Sequence, residues 1–211
     1  MSIVRPARAG DEAGLKRLWK TVFDDTDELI DAFFRELFRS GSAHLVEEDG
    51  EIVSAAHVVP FRGARYIYAV ATLPAYRGKG YGEAVVLAAV GNESAYLLPA
   101  SDSLRAWYKK MGAEDLPGKP LYAPGKAVRP ISAEEYNARR EALLAGKPHA
   151  GYTPELMHYF SAFGSFYAGE RGICAISDGD VCEALPCELI NEPYLMGFNG
   201  AKPLYLGLTL L

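Results

Sequence analysis

The sequence predicts a mixed α+β fold, in which a mostly antiparallel, twisted sheet is flanked by helices and a smaller α+β extension follows at the C-terminal end. Three observations lead to this prediction. Two segments near the N-terminus space their apolar residues as amphipathic helices do. Three strand-like runs separated by tight-turn signals come next. A glycine-rich loop then opens an apolar helix, and helical and hairpin patterns return in residues 129–211.

The chain opens with a short strand and two helices. Residues 3–6 have the pattern of a strand, and Asp11 is placed to cap a helix whose apolar residues extend to Phe23. A second helix is expected from about Thr26 to Phe38, since its apolar residues fall on one stripe.

Three antiparallel strands are expected next. The runs 43–48 and 51–60 flank Asp49-Gly50, the dipeptide best suited to the positive φ angles of a tight hairpin turn. A third run, 65–72, follows a turn at Arg62-Gly63-Ala64. Such short turns join neighbouring antiparallel strands.

A glycine-rich loop at 73–82 connects the third run to a helix that is expected to end at Gly91. A short buried strand is predicted at 95–98, and a helix opens at about 99–103 and is capped by Gly112. One face of this last helix carries four apolar or aromatic residues, Leu104, Trp107, Tyr108 and Met111.

The segment from Pro117 to Pro130 is rich in Pro, Gly and Lys, which indicates an edge hairpin or a linker. We place a domain boundary at its end, with one domain at 1–128 and an extension at 129–211. In the extension, Ser132 and Glu135 form a capping-box pattern for a helix to about Ala145.

A further helix is expected to begin at Thr153 or Pro154 and to run through Phe163. Two strand-like runs, 172–177 and 181–185, flank a predicted hairpin turn at 178–180. The apolar end, 203–211, is expected to be a strand that adds to a sheet. Helices followed by a hairpin repeat the order of the first part of the chain, which suggests a truncated second copy of the same unit.

Charge and composition exclude several classes of function. A net charge of -5 and few clustered Lys or Arg residues argue against nucleic-acid binding. No apolar run approaches the roughly 18 to 20 residues of a membrane span. The N-terminus lacks the pattern of a secretion signal, so a cytoplasmic location and no membrane partner are expected. The three cysteines fit neither a zinc site nor a redox pair, so we expect structural thiols and no metal: Cys174, Cys182 and Cys187.

The glycine-rich loop has the features of a phosphate site. Backbone N–H groups of such a loop converge at the positive end of the following helix, and glycines allow an anion to approach closely. The residues that would form the site are Arg77, Gly78, Lys79, Gly80, Tyr81 and Gly82. They match neither the Gly-Lys-Ser/Thr ending of a nucleotide-triphosphatase loop nor the G-x-G-x-x-G spacing. An ordinary glycine-rich turn is the alternative.

Two motifs together resemble a known family. The run AVATLPAYRGKGYG resembles the coenzyme A signature of GCN5-related N-acetyltransferases, and LRAWYKKMGAE is similar to the second signature of that family. The resemblance covers about residues 1–125. It implies the GNAT fold, with acetyl-coenzyme A (acetyl-CoA) as co-substrate and a primary amine as acceptor.

The same resemblance implies roles for individual residues. The amides of residues 77–82 would bind the pyrophosphate, and main-chain groups of the preceding strand would bind the pantetheine arm at Val70, Ala71 and Thr72. Ser101 stands where the second signature often has Asn, and its hydroxyl is a candidate partner for coenzyme A.

Tyr108 is the candidate general acid, because a phenol is protonated at neutral pH and can donate to the departing thiolate. The alternative for Tyr108 is a core aromatic. The general base is open. Family members often carry a Glu where this sequence has Tyr68. His57, Tyr68 acting through a water, Asp102 and the C-terminal carboxylate of Leu211 are the candidates, and a structural role for His57 competes with the catalytic one.

The acceptor expected from the resemblance is a small-molecule amine or an amine of a protein. A non-catalytic acyl-CoA sensor or scaffold is the competing function, because the usual carboxylate is missing. For residues 129–211 three roles stay open: covering the acceptor cleft, forming a homodimer interface, or completing the sheet as a degenerate second half.

Overall fold

The structure is a computed structural model, and it describes residues 4–116, 129–169, 172–177, 179–185 and 195–207. The expected linker at 117–128 lies outside the described residues. Of the helices in the described part of the chain, none is long and apolar enough to cross a membrane.

Six helices occur within these ranges: α1 Glu12–Phe23, α2 Asp27–Glu36, α3 Tyr81–Val90, α4 Asp102–Lys110, α5 Ala133–Leu144 and α6 Pro154–Phe163. The strands of the first part of the chain are β1 Val4–Pro6, β2 Ala43–Glu48, β3 Glu51–Phe61, β4 Ala64–Thr72, β5 Ala95–Leu97 and β6 Glu114–Asp115. Those of the second part are β7 Arg129–Ile131, β8 Gly164–Ala168, β9 Ile173–Ser177, β10 Asp180–Leu185 and β11 Met196–Phe198.

Helix α1 forms where it was predicted, but Asp11 does not cap it with its side chain. The carboxylate instead accepts two hydrogen bonds from the Arg5 guanidinium, at 2.6 and 2.8 Å, and one from the Arg8 amide, at 2.7 Å. A bidentate guanidinium pair is a stronger interaction than a cap. Helix α2 does begin as expected, because the Thr26 side chain accepts a hydrogen bond from the Leu29 amide.

The main sheet has seven strands in the order β1-β2-β3-β4-β5-β11-β6. Among these neighbours only β4 and β5 run parallel, so the predicted mostly antiparallel sheet is confirmed. Asp49 and Gly50 turn β2 into β3 with φ angles of 50° and 82°. These are the positive angles that the dipeptide favours.

Strands β4 and β5 pair over a short length. Their register joins Arg65 to Ala95 and Tyr66 to Tyr96, at the beginning of β4. The rest of β4 continues to Thr72 without a partner on that side among the described residues. A parallel pair that separates in this way opens a cleft at the centre of the sheet.

Helices cover both faces of the main sheet. On one face, α1 and α2 bury Trp19 and Phe33 against strand residues such as Leu45. On the other, α3 and α4 bury Val86 and Tyr108 in a second core. Alternation along β3 sends neighbouring side chains to opposite cores, as expected for a strand that is buried on both faces.

The strand that the extension adds to the main sheet is not the predicted one. Residues 203–211 were expected to supply it, but 208–211 lie outside the described residues and 203–207 contribute only a bridge between Tyr205 and His149. The added strand is β11, whose Met196 and Phe198 are 0% and 3% exposed. It fills the gap between β5 and β6 and pairs with both, which buries its apolar side chains and satisfies its backbone.

The remainder of the extension repeats the order of the first part of the chain. The series β7-α5-α6-β8-β9-β10 has the same sequence of elements as β1-α1-α2-β2-β3-β4, and the second sheet has the order β10-β9-β8-β7. Ser132 and Thr153 cap α5 and α6, as their positions predicted. The division at residue 128 stays a prediction, because β11 belongs to the first sheet while lying in the extension.

Candidate functional site

The separation of β4 from β5 creates two adjoining cavities. The first, here called the loop-side cavity, has a volume of about 760 Å³. Its lining combines the glycine-rich loop with the ends of α1, β4 and α4: Val22, Phe23, Val70, Thr72, Tyr76, Arg77, Gly78, Gly80, Tyr81, Gly82, Glu83, Leu104, Trp107 and Tyr108.

The second, the sheet-side cavity, has a volume of about 500 Å³ and lies between the separated strands. Its lining is largely aromatic and apolar: Trp19, Phe23, Asp25, Tyr66, Ile67, Tyr68, Ala69, Val70, Leu97, Leu98, Pro99, Ala100, Leu104 and Tyr108. Four residues line both cavities, namely Phe23, Val70, Leu104 and Tyr108. The two cavities therefore meet at Val70 and Tyr108.

The glycine-rich loop has the backbone of an anion site. Gly78 and Gly80 have φ angles of 78° and 83°, in the left-handed region that glycine tolerates best. Gly80 is the N-cap of α3 and supplies no side-chain cap, so the first N–H groups of the helix are left for another acceptor. A Cβ on Gly82 would lie 3.2 Å from Thr72 Oγ1 and 3.4 Å from Trp107, a tight contact that would require these side chains to shift by a few tenths of an ångström.

The charges around the loop are mixed. Arg77 lines the loop-side cavity and donates from Nε to the Thr72 carbonyl at 3.2 Å. Lys79 is not among the lining residues, and its ammonium lies 4.6 Å from the centre of the Tyr76 ring. Glu83 adds a carboxylate to the same lining. An anion held here would depend mainly on the backbone N–H groups and on Arg77.

The three predicted residues of β4 alternate between the two faces of the sheet. Val70 and Thr72 line the loop-side cavity, whereas Ala71 is 3% exposed and packs in the core. A bulge precedes them, where Ala69 takes a φ of 46°. Beyond its pairing with β5 at Arg65 and Tyr66, β4 has no strand partner on that side among the described residues.

Tyr108 lies on α4 at the meeting point of the two cavities. It is 6% exposed, and burial raises the pKa of its phenol to about 12. The phenol is therefore neutral throughout the physiological range and can act as a hydrogen-bond donor. Its ring packs at 4.8 Å, between centroids, against Trp107.

His57 is placed differently from the other predicted residues. It is 2% exposed, lines neither cavity, and is surrounded by the rings of Trp19, Phe33 and Phe34 at 5.4 to 5.8 Å. Burial lowers its pKa to about 4. At neutral pH the imidazole is uncharged and enclosed by Trp19.

Tyr68 does line the sheet-side cavity. Burial, followed by the nearby phenols, raises its pKa above the ordinary value, and it shares a hydrogen bond with Tyr159. Tyr159 comes from α6, so the C-terminal extension supports this wall of the cavity. The Phe33 ring of α2 packs against both tyrosines, with its centre 5.7 Å from that of Tyr68 and 6.0 Å from that of Tyr159.

Asp25 is a cavity residue that sequence reasoning missed. It lies between α1 and α2, lines the sheet-side cavity and accepts a hydrogen bond of 2.7 Å from the Trp19 indole N–H. The sequence shows only a carboxylate in an acidic interhelical turn, and such residues are usually solvated. The spacing of six residues from a Trp on the buried face of α1 is the one signal that could have drawn attention to it.

The remaining candidates lie elsewhere. The Ser101 hydroxyl caps α4 by accepting from the Leu104 amide at 3.2 Å, and neither Ser101 nor Asp102 lines the two cavities. Leu211 is outside the described residues. The structure thus brings together the loop, β4, Tyr68 and Tyr108, and separates them from His57, Ser101 and Asp102.

A family comparison assigns the first part of the chain. The family model described as an acetyltransferase (GNAT) domain matches residues 3–114. These residues include both signature motifs and most of the lining of the two cavities. No curated protein matches the sequence significantly.

Solved structures share the fold. A protein of Pyrococcus horikoshii that is provisionally assigned as an acetyltransferase has a TM-score of 0.68 and 14% identity, and the alignment covers 100% of this chain and 94% of that one. A GCN5-related N-acetyltransferase from Kribbella flavida has a TM-score of 0.61 and 21% identity, with coverage of 90% and 58%. Eis1 from Mycobacterium abscessus has a TM-score of 0.57 and 14% identity, with coverage of 83% and 53%.

The chain thus spans somewhat more than half of the length of the last two structures. At such identities the likeness concerns the fold. Its coverage of the Pyrococcus horikoshii protein includes the extension, so the arrangement of both parts is shared with a solved structure.

Proposed function

The chain belongs to the GNAT acetyltransferase family, and from this premise we propose that it transfers an acetyl group from acetyl-CoA to a primary amine by direct attack. The observation that carries the proposal is the position of Tyr108, a neutral phenol at the junction of a loop-side cavity and a sheet-side cavity. The loop-side cavity suits the acyl donor, and the sheet-side cavity suits the acceptor.

The loop-side cavity is the proposed binding site for acetyl-CoA. The uncapped N-terminus of α3 and the two left-handed glycines offer N–H groups to the pyrophosphate. The open edge of β4 at Val70 and Thr72 offers main-chain groups to the pantetheine amides. The thioester would then lie beside Val70 and Tyr108, where the cavities meet.

The proposed reaction forms one bond and breaks one. The neutral amine nitrogen of the acceptor attacks the thioester carbonyl carbon, a C–N bond forms, and the C–S bond breaks to release coenzyme A as a thiolate. The thiolate takes up one proton, and the acylated nitrogen loses one. An amine that arrives as an ammonium ion must first release a further proton.

Tyr108 would stabilise the departing thiolate. A phenol with a pKa of about 12 is a weaker acid than an ordinary thiol, whose pKa is about 8.5. Full transfer of the proton is therefore uphill, and the main contribution is a hydrogen bond to the sulfur as negative charge develops. The proton can follow from the acylated nitrogen through the same phenol.

A proton must also leave the acceptor nitrogen, and the candidates to receive it differ in position and in pKa. The position of His57 behind Trp19 argues against direct contact with an acceptor, and its low pKa makes it a weak base. Tyr68 lines the sheet-side cavity, but its raised pKa keeps the phenol protonated. It could therefore act only by relaying a proton, not as the base. We favour release of this proton to water in the open cleft.

We predict that Tyr108→Phe lowers turnover at least about tenfold and leaves the affinity for acetyl-CoA nearly unchanged, because only the donor to the thiolate is lost. Thiol release from acetyl-CoA in the presence of a pool of amines measures turnover, and calorimetry measures the affinity. Tyr96→Phe is the matched control. Its phenol is also 6% exposed, but it donates to the Lys202 carbonyl and lines neither cavity.

Equal turnover by Tyr108→Phe and the native chain would refute the role of Tyr108. Binding of acetyl-CoA without turnover on any amine would instead support a sensor or scaffold.

A further inference from the structure

The sheet-side cavity has an unusual combination of walls and charge. Of its described lining residues, Asp25 is the one Asp, Glu, Lys, Arg or His. The remaining lining side chains are aromatic or apolar, and three of them, Tyr66, Tyr68 and Tyr108, also carry a phenol hydroxyl. A single carboxylate in such a cavity favours a ligand that carries one positive charge on an apolar body.

The Asp25 carboxylate is held in position without being neutralised. Trp19 Nε1 donates to Oδ2 at 2.7 Å, which orients the side chain but brings no positive charge. Lys20, near the end of α1, donates to the Asp25 main-chain carbonyl at 2.8 Å and not to its carboxylate. Its ion pairs are with Asp24 and Asp27, at 3.8 and 3.5 Å. Within the described part of the chain, no ion pair involves the Asp25 carboxylate.

The neighbouring acids of the same turn are in a different environment. The side chains of Asp24 and Asp27 are 94% and 81% exposed, and neither lines the cavity. Asp25 is partly buried. A carboxylate that is partly removed from water and unpaired gains more from a bound cation than one that is fully solvated.

The aromatic walls supply the second part of the recognition. Tyr66 and Tyr68 are stacked, with ring centres 6.2 Å apart, and Trp19 lies 5.7 Å from Tyr68. At the rim, Phe23 and Leu104 are 41% and 39% exposed, although both are large and apolar. Flat rings suit a flat apolar group, and they also attract a cation near their faces.

We propose that the acceptor is a cationic amine attached to a flat, apolar body, and that Asp25 is the specificity-determining residue that binds its ammonium group. This inference rests on the proposed function, since it concerns the acceptor of the same reaction. The ammonium pairs with the carboxylate on arrival. It loses one proton to water before the nitrogen attacks the thioester, because only the neutral amine has a free electron pair.

The test measures binding in the absence of turnover. The protein is saturated with coenzyme A, and calorimetry compares 2-phenylethylamine with its neutral counterpart 2-phenylethanol. The native chain should bind the amine at least about tenfold more tightly than the alcohol. Asp25→Asn should reduce this preference to less than about threefold, because the amide still accepts the Trp19 hydrogen bond but carries no charge. Asp24→Asn, which makes the same change of net charge in an exposed neighbour, should retain the preference.

Several results would overturn the inference: equal binding of the amine and the alcohol to the native chain, no binding of the amine, or an undiminished preference in Asp25→Asn. The first two need no variant, so the test holds even if Asp25→Asn does not fold. The affinity for coenzyme A is measured in every sample. If the native chain did not bind coenzyme A, the proposed function itself would be wrong. If it bound coenzyme A normally but showed no preference for the amine, only the role of Asp25 would be wrong.

Discussion

At the scale of single residues, burial decides which polar groups can take part in chemistry. Tyr108 and His57 were both candidates, and both are almost fully buried. Tyr108 borders two cavities, whereas His57 is enclosed by Trp19, Phe33 and Phe34. The His57 ring forms a long hydrogen bond, from Nδ1 to the Ala69 carbonyl at 3.4 Å. Such a histidine affects stability more directly than catalysis.

We predict that His57 makes the fold sensitive to acid. Burial lowers its pKa from 6.5 to about 4, so the unfolded chain takes up the proton first as the pH falls. The stability that depends on a neutral His57 is fully present above pH 6.5 and is lost as the pH falls towards 4. The lowered pKa corresponds to a loss of roughly 3 kcal/mol in the free energy of unfolding.

Urea unfolding at pH 7 and at pH 4.5 measures this effect in the native chain and in His57→Leu. The native chain should lose more stability than the variant between the two values. His158→Gln is the control, because that side chain is 65% exposed and should leave the difference unchanged. The interpretation would be wrong if the native chain and His57→Leu responded equally to pH.

At the scale of elements, the glycines of the loop between β4 and α3 meet two different demands, one on backbone angles and one on the space around the helix. Gly78 and Gly80 are needed for their backbone angles, and no atom would contact an added Cβ at either position. Gly82 has little space around it, since Thr72 and Trp107 lie close to its Cα. The two kinds of glycine therefore respond differently to substitution, and Gly80 allows charge to be tested separately from packing.

Gly80→Glu should weaken the binding of acetyl-CoA at least about tenfold more than Gly80→Gln does. Both substitutions impose the same backbone strain at a φ of 83°, but only Glu brings a negative charge to the proposed pyrophosphate site. Two charges a few ångströms apart near a surface interact by about 1 to 4 kcal/mol. Calorimetry with acetyl-CoA at low salt measures the difference. Equal affinities of the two variants would contradict a pyrophosphate at this loop.

At the scale of the whole molecule, a buried polar cluster holds the extension together. Glu183 accepts hydrogen bonds of 2.7 to 3.0 Å from Arg140 and from three tyrosines, Tyr136, Tyr152 and Tyr205. Arg140 also donates to the Ala150 and Leu206 carbonyls. The cluster connects α5, β10 and the segments around 150 and 205. It stabilises the part of the chain that supplies α6, and hence Tyr159, to the wall of the sheet-side cavity.

Glu183→Gln should lower the free energy of unfolding by about 3 kcal/mol or more, because the buried Arg140 guanidinium then keeps as counter-ion only the partly exposed Glu141 carboxylate, at 3.4 Å. Both side chains of the native pair are 0% exposed. Urea unfolding at pH 7 measures the change, and Glu93→Gln is the control, since that carboxylate is 78% exposed. Loss of stability by less than about 1 kcal/mol would show that the pair is replaceable.

Local chemistry explains which elements could be predicted. The Asp49-Gly50 turn, the caps at Thr26, Ser132 and Thr153, and the glycine-rich loop all depend on residues within a few positions of one another. Their preferences act before the chain is folded. The mostly antiparallel sheet followed from these turns, and the left-handed backbone of the loop followed from its glycines.

Other contacts were decided only by the folded structure, including two between residues that are six positions apart. Asp11 binds Arg5 instead of its helix, β11 inserts between β5 and β6, and Asp25 is held by Trp19 at the edge of a cavity that β4 and β5 create. The sequence by itself determined most of the helices and strands of residues 4–116 and the glycine-rich loop, because backbone angles and apolar spacing are local. The tertiary structure decided which charges are paired and which carboxylate lines the sheet-side cavity, because desolvation and contact depend on neighbours from the whole chain.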